Sequence, residues 1–116
     1  MQKNLEQIRA AAALPASKDL SRSAVNKLPA LITQSGLLAT AAFCDAEGGG
    51  ENRKDMKKAL AATAEHLAAR SHISSEINTV RGMIEDLSKR DSHQLQRATS
   101  EALAFIAYLK RFAPKD

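Results

Sequence analysis

The sequence is poor in cysteine and in aromatic side chains: it has one Cys, three Phe, one Tyr and no Trp among 116 residues. A single cysteine, Cys44, cannot form a disulfide within the chain, which indicates a reducing, intracellular setting. The longest uncharged apolar run, residues 36–44, is too short to span a bilayer. Glu6 and Arg9 interrupt the apolar N-terminal stretch, unlike in a secretory signal. The sequence therefore predicts a cytoplasmic protein that does not enter the membrane.

Motifs for catalysis and for metal binding are also missing. His66, His72 and His93 do not pair at metal-ligand spacing, so they are interpreted as structural or solvated histidines. Three glycines at 48–50 lack the lysine of a phosphate-binding loop and do not follow a strand. No nucleophile–base pair, dinucleotide fingerprint or nuclease-type acidic cluster is visible. We predict no enzyme activity, metal, cofactor or small-molecule substrate; an active site assembled across helices is the least favoured alternative.

The sequence is rich in alanine and leucine, which supply most of its 44% apolar residues and favour closely packed helices. Helical spacing and the positions of Pro, Gly and capping residues predict successive helices. The first covers residues 2–14 and ends at Pro15. The others cover a stretch to about Lys27, then 29–34, 37–44, 52–70, a segment beginning at 74–75, and 93–112. The glycine-rich segment 45–51 is predicted to be a flexible loop. The fold class is therefore all-α: one compact domain over residues 1–116, a bundle of five or six helices.

Periodic apolar residues predict which helix faces are buried. The first helix presents Leu5, Ile8 and Ala12, and Leu28 is expected to leave α geometry before Pro29. The long helix presents Met56, Leu60, Ala64 and Leu67; the next presents Ile77, Val80, Ile84 and Leu87; the last presents Leu95, Ala98, Ala102, Ile106, Leu109 and Ala113. Arg97 with Glu101 and Arg81 with Glu85 stand four residues apart and are predicted to form surface ion pairs.

The net charge is +4, and the excess lies toward the two ends of the sequence: +3 within residues 1–44 and +1 within 91–116. This distribution is compatible with a phosphate-facing surface. Arg97 and Arg111 lie fourteen residues apart on the last helix, so they face the same way about 21 Å apart. Lys110 and Arg111 also suit the helix dipole, which leaves a structural and a phosphate-binding interpretation open. The cluster Arg53, Lys54, Lys57 and Lys58 is ambiguous in the same way between a solvated face and an anionic partner.

Two segments resemble a known family. Residues 27–32 read KLPALI and are followed by Gly36–Leu37 and Ala42–Phe43, which resembles the LPALI…GL…AF centre of the small subunit of the type III-B CRISPR (Cmr) effector complex. Residues 97–103 read RATSEAL and residues 109–113 read LKRFA, which resembles the R-x-T-x-E-A-L…KRFA ending of that family. Residues 5–7 also fit, and Ser35 stands where the family often has asparagine. The resemblance covers roughly the whole chain.

The resemblance implies a helical, non-catalytic subunit of an antiviral ribonucleoprotein. Such subunits stack with further copies of themselves as a minor filament, beside the repeated backbone subunit that holds the guide RNA. They support binding of the target RNA, and cleavage belongs to the backbone subunits. Under this interpretation the partners are guide RNA, target RNA and other Cmr subunits. The residues predicted to contact the RNA backbone are Lys27, Arg97, Lys110 and Arg111, followed by Lys54 and Lys57.

The main alternative is a helical adaptor that binds a partner helix and never contacts RNA. It requires exposed apolar side chains, for which Leu37, Leu38 and Phe43 are the candidates. A filament also needs surfaces that contact protein, so apolar exposure alone does not separate the two functions.

Overall fold

The computed structural model describes residues 2–115, and within them seven helical segments surround one hydrophobic core. Only Lys27 separates the second segment from the third; counted as one bent unit, the segments number six. The predicted all-α bundle is therefore confirmed. None of these helices is long and apolar enough to cross a membrane. The segments are α1 (Leu5–Ser17), α2 (Arg22–Asn26), α3 (Leu28–Ser35), α4 (Leu37–Asp45), α5 (Glu51–Ala69), α6 (Val80–Ser88) and α7 (Ser92–Phe112).

The first helix begins and ends later than predicted. The Asn4 side chain accepts a hydrogen bond from the backbone N–H of Gln7, and the Gln7 side chain accepts one from the N–H of Asn4. This reciprocal cap sets the start of α1 at Leu5. The predicted end at Pro15 is wrong, because α1 continues to Ser17. Pro15 lies in the last turn, where the missing N–H removes a single helical hydrogen bond and little helix remains to be disrupted.

Pro29 and Gly36 lie at the two ends of α3 and determine where it begins and ends. The prediction that Leu28 leaves α geometry is wrong, because Leu28 is the first residue of α3. Pro29 then lies in the first turn, where its missing N–H is not needed. Gly36 separates α3 from α4 with a φ of +93°, as the predicted helix stop at 35–36 requires.

The start of α6 is also corrected. We predicted a helix from 74–75, but α6 begins at Val80, where the Thr79 hydroxyl accepts a hydrogen bond from the N–H of Gly82. Ser74 instead donates its backbone N–H to the carboxylate of Asp86 at 3.2 Å, which holds residues 74–79 outside the helix. The predicted cap of α7 at Asp91 is confirmed.

Alanines let the helices approach closely, with α1 against α7 as the largest interface and α5 against α7 at the centre. The predicted inner faces of α5 and α7 are confirmed, except that Leu95 is only half-buried. In α6, Met83 is fully buried and Ile84 is half-buried; Ile77, which precedes the helix, is also half-buried. In α1, Leu5 is exposed, contrary to prediction, because the helix buries the face that carries Ala13 and Ser17.

Candidate nucleic-acid interface

All six cations predicted to contact RNA are exposed on the surface. Two of them already face carboxylates: Lys54 lies 3.7 Å from Glu51, and Lys57 lies 3.2 Å from Asp45. Arg81 contacts the same Asp45 at 3.0 Å. Lys57 and, to a smaller extent, Arg81 lower the pKa of Asp45. Lys57 therefore helps to join α5 to the end of α4, which reduces its value as a phosphate contact.

The other four, Lys27, Arg97, Lys110 and Arg111, have no carboxylate partner among residues 2–115. Exposure without such a partner is what contact with an external anion requires; contact of these four residues with RNA stays a prediction.

Arg22 binds the end of α7, where Lys110 and Arg111 lie. Arg22 donates from Nε to the carbonyl oxygen of Ala113 at 2.9 Å and from Nη2 to that of Arg111 at 3.1 Å. The neighbouring Ser21 donates its backbone N–H to the carboxylate of Asp55 at 2.8 Å. The start of α2 thus joins the end of α7 to the first turns of α5. Lys110, Arg111 and the basic cluster of α5 consequently belong to the same end of the bundle.

The middle of α7 carries a buried ionic network that the sequence did not reveal. We predicted that Glu101 pairs with Arg97, but its carboxylate is bound by Arg9, at 2.8 and 2.7 Å, and by Nε2 of His66 at 2.8 Å. The partners stand 92 and 35 residues away in sequence. The predicted pair of Arg81 with Glu85 is also replaced, since Arg81 contacts Asp45 across helices. Helical spacing identifies neighbours on one helix, whereas tertiary packing selected these partners.

The network joins α1, α5 and α7. Glu101 is 7% exposed, and its two partners, with Arg9 first, lower its pKa to about 2. Since an ionised carboxylate only accepts hydrogen bonds, Nε2 of His66 carries the shared hydrogen. The His66 ring stacks on Phe105 with centroids 4.4 Å apart and planes 10° apart. Phe105 therefore covers one side of the Glu101–His66 pair, and Arg9 covers another.

A groove of about 470 Å³ lies over Glu101. Its walls come from the start of α1, the end of α5, the residues that follow α6 and the N-terminal half of α7. Of the arginines that line the groove, only Arg97 was predicted from the sequence to bind RNA. Arg70 and Arg90 were not, because they come close to Arg97 only when the ends of separate helices pack together. Besides Glu101, the polar residues that line it are Arg70, Ser71, His72, Arg90, Gln94 and Arg97.

The electrostatics of this groove are positive. Glu101, the carboxylate that lines the groove, is neutralised by Arg9. The lining Arg90 is bound by Asp86, which lies outside the lining, and its guanidinium lowers the pKa of Asp86. Burial lowers the pKa of His72; Glu101 opposes this lowering, and Arg97 and Arg70 add to it by smaller amounts. Arg70 and Arg97 remain as charges with no carboxylate partner within residues 2–115.

Ser71 occupies the backbone position at which α5 terminates. Its φ is +65°, in the left-handed region, and it is the only non-glycine residue of the described chain with a positive φ. The N–H of Ser71 donates to the carbonyl of Ala68, and the N–H of His72 donates to that of Leu67. This pattern is a Schellman termination, in which glycine is the usual residue at the left-handed position.

The apolar residues proposed for a protein interface are only partly at the surface. Leu37 is 2% exposed and belongs to the core, so it is not available to a partner. Leu38 is half-buried, and Phe43 is 48% exposed. The guanidinium of Arg53 lies 4.3 Å from the centre of the Phe43 ring. Because Leu37 is buried and Leu38 is half-buried, Phe43 is the strongest of the three candidates for contact with a partner protein.

These features define a small all-α protein with exposed cations at both ends of its bundle. The family model described as CRISPR-associated protein (Cas_Cmr5) matches residues 1–115. The chain therefore belongs to this family, the small subunit of the type III-B CRISPR (Cmr) complex. No curated protein and no solved structure significantly matches the chain.

Proposed function

We propose that the chain is a cytoplasmic, non-catalytic subunit that stacks with copies of itself as a minor filament and contacts RNA in antiviral defence. Its neighbours would be the repeated backbone subunit, the guide RNA and the target RNA. Membership of the Cmr family supports the assembly part of this proposal.

One observation carries the RNA-binding part: Lys27, Arg97, Lys110 and Arg111 are exposed and have no carboxylate partner within residues 2–115. Guide pairing supplies sequence discrimination, so the protein needs contacts to phosphate rather than to base edges. Cations without a protein partner are suited to such contacts, whereas Lys57 and Lys54 would first have to leave Asp45 and Glu51.

The non-catalytic part is supported by the state of the buried carboxylate–histidine pair. With a pKa of about 2, Glu101 is ionised at neutral pH and is a poor proton donor. The His66 side chain is 1% exposed and lies between Glu101 and Phe105, so a substrate cannot reach it without rearrangement. The pair therefore fits a structural role better than acid–base catalysis.

The direct test uses the Cmr complex reconstituted with this chain. Arg97→Glu and Arg111→Glu should each weaken binding of target RNA. Each lost phosphate contact should also flatten the dependence of log affinity on log salt by about 0.7–0.9. Lys18→Glu is a matched control, because Lys18 is exposed at the end of α1 and was not predicted to contact RNA. Unchanged affinity and salt slope in both arginine variants would refute the RNA contacts.

Purification of the tagged chain from its host separates this function from the adaptor alternative. Recovery of short RNAs with a common repeat-derived 5′ end, and of the backbone subunit in excess, is the expected result. Recovery of one protein partner without RNA would instead support an adaptor that uses Phe43, which is half-exposed.

A further inference from the structure

The groove over Glu101 brings together two arginines from separate helix ends. Arg70 ends α5, and Arg97 lies in the second turn of α7. Arg70 gains from the dipole at the C-terminal end of its helix, but Arg97 lies near an N-terminal end, where a cation gains nothing. The position of Arg97 is thus better explained by an anion in the groove than by helix stability.

Neither Glu101, which lines the groove, nor Asp86, which pairs with a lining arginine, competes for Arg70 and Arg97. Glu101 is held by Arg9 and His66, and Asp86 is held by Arg90. Each carboxylate therefore has its own cation. The field that remains in the groove comes from Arg70 and Arg97, so an entering anion would not have to displace an internal ion pair.

Ser71 adds a second, independent feature to the same wall. Its left-handed backbone costs about 1–2 kcal/mol relative to an ordinary conformation, a cost that glycine would avoid. Local strain of this kind is often found where a side chain contributes to binding. The Ser71 hydroxyl is on an exposed residue lining the groove and can offer a hydrogen bond to a phosphate oxygen.

The size and shape of the groove restrict what can enter. A concave volume of about 470 Å³ is in the range of small-ligand sites. It can take one nucleotide but not a double helix, which presents its phosphates on a convex surface. The Gln94 side-chain oxygen already accepts the backbone N–H of Asp91 at 3.2 Å, but its amide nitrogen can donate a hydrogen bond to the edge of an unpaired base.

We propose that this groove binds one unpaired RNA nucleotide, with its phosphate between the guanidinium groups of Arg70 and Arg97. The proposal rests on the RNA-binding role proposed above and deepens it by naming where an unpaired nucleotide is held. It adds Arg70, Ser71 and Gln94 to the RNA-contacting surface, none of which the sequence indicated.

Backbone amide shifts of the full chain in solution test the proposal. The ligands are an eight-nucleotide uridine strand, an eight-base-pair RNA duplex, uridine monophosphate and uridine. The single strand should shift the amides of Ser71, His72, Gln94 and Arg97, and the monophosphate should shift the same amides at higher concentration. Uridine lacks the phosphate and should not shift them, and the duplex should leave the groove unaffected.

Arginine variants then assign the contacts. Arg70→Gln and Arg97→Gln should each weaken binding of the single strand about tenfold, because each removes charge-assisted hydrogen bonds to phosphate. Lys18→Gln makes the same change in charge at the far end of α1 and should bind like the wild type. Urea unfolding of each variant checks that it is folded.

The outcomes separate this proposal from the broader one. Shifts confined to Lys27, Lys110 and Arg111 would overturn the nucleotide site and leave the RNA-binding role standing. Equal shifts by duplex and single strand, or an Arg70→Gln variant that binds like Lys18→Gln, would also overturn it. Shifts in the groove with an unchanged target affinity of the assembled Arg97→Glu and Arg111→Glu complexes would instead refute the role in target binding alone.

Discussion

Replacing Glu101 by glutamine should remove one of the larger single contributions to the stability of the bundle. The pKa of this carboxyl group falls from an ordinary 4.5 to about 2 in the folded protein. This lowering of the pKa corresponds to about 3 kcal/mol of unfolding free energy, because one pKa unit is worth about 1.4 kcal/mol. The variant also leaves Arg9 and the buried His66 without their anion. We therefore expect Glu101→Gln to lose about 3 kcal/mol at pH 7.

The lowered pKa of Glu101 also determines how the free energy of unfolding depends on pH. Because the folded-state pKa of Glu101 is depressed, its contribution is fully present above about pH 4.5 and is lost as the pH falls toward 2. Asp45 and Asp86 also have lowered pKa values and destabilise the protein in the same direction on acidification. They are retained in the variant, so the difference between the wild-type and Glu101→Gln curves isolates Glu101.

Urea unfolding at pH 7, 5, 4 and 3, followed by helical circular dichroism, measures both quantities. The wild type should lose stability more steeply than Glu101→Gln between pH 5 and pH 3, so that the difference between them narrows. Glu65→Gln serves as the control, because Glu65 is exposed on α5 beside His66. If Glu101→Gln matched Glu65→Gln at pH 7, or if its curve stayed parallel to the wild type, the assignment of the network as a stabilising element would be refuted.

Four further substitutions test backbone, capping and ion-pair features by the same unfolding assay. Ser71→Gly should stabilise the protein by about 1 kcal/mol, since glycine accepts the left-handed conformation at φ +65° without strain; a loss of stability would show that the Ser71 side chain contributes more than the strain costs. Gly36→Ala should cost about 2 kcal/mol through backbone strain alone, because an added Cβ would meet nothing within 4 Å; an unchanged stability would mean that the φ of +93° is not required. Arg22→Ala should cost about 2 kcal/mol, because two carbonyls at the end of α7 lose a charged donor; Arg81→Ala, which removes an exposed ion pair, should cost less than 1 kcal/mol, and equal losses would contradict this ranking.

Periodicity predicted the elements with the clearest local signals. The last helix carries an acidic cap at Asp91, a continuous apolar stripe and a proline at 114, and its bounds differed from prediction by one residue. The errors fell where a tertiary contact replaced a local one. Ser74 had the sequence properties of a helix cap, but its N–H binds Asp86 and the helix starts at Val80.

The residues of the candidate site were also predictable only in part. Exposure of Arg97 and Arg111 followed from their position outside the apolar stripe of one helix, which a sequence can reveal. The pairing of Glu101 with Arg9 and His66 depends on which helices pack together, and so does the groove that joins Arg70 to Arg97. One hint was available, because Glu101 lies three residues after Ala98 and four before Phe105, on the buried side of α7, where a carboxylate needs a partner.

The contacts between the first helices and α7 also set the order in which the chain can fold during synthesis. Arg9 and Arg22 reach residues 101, 111 and 113, and α1 has its most extensive interface with α7. Helices α1 to α6 leave the ribosome before α7, yet the alanine-lined surface they form is open until α7 covers it. We therefore expect the nascent chain to remain incompletely folded until α7 has emerged from the exit tunnel. Ribosome-stalled chains that lack α7 should remain sensitive to protease, whereas chains with all seven segments exposed should be resistant.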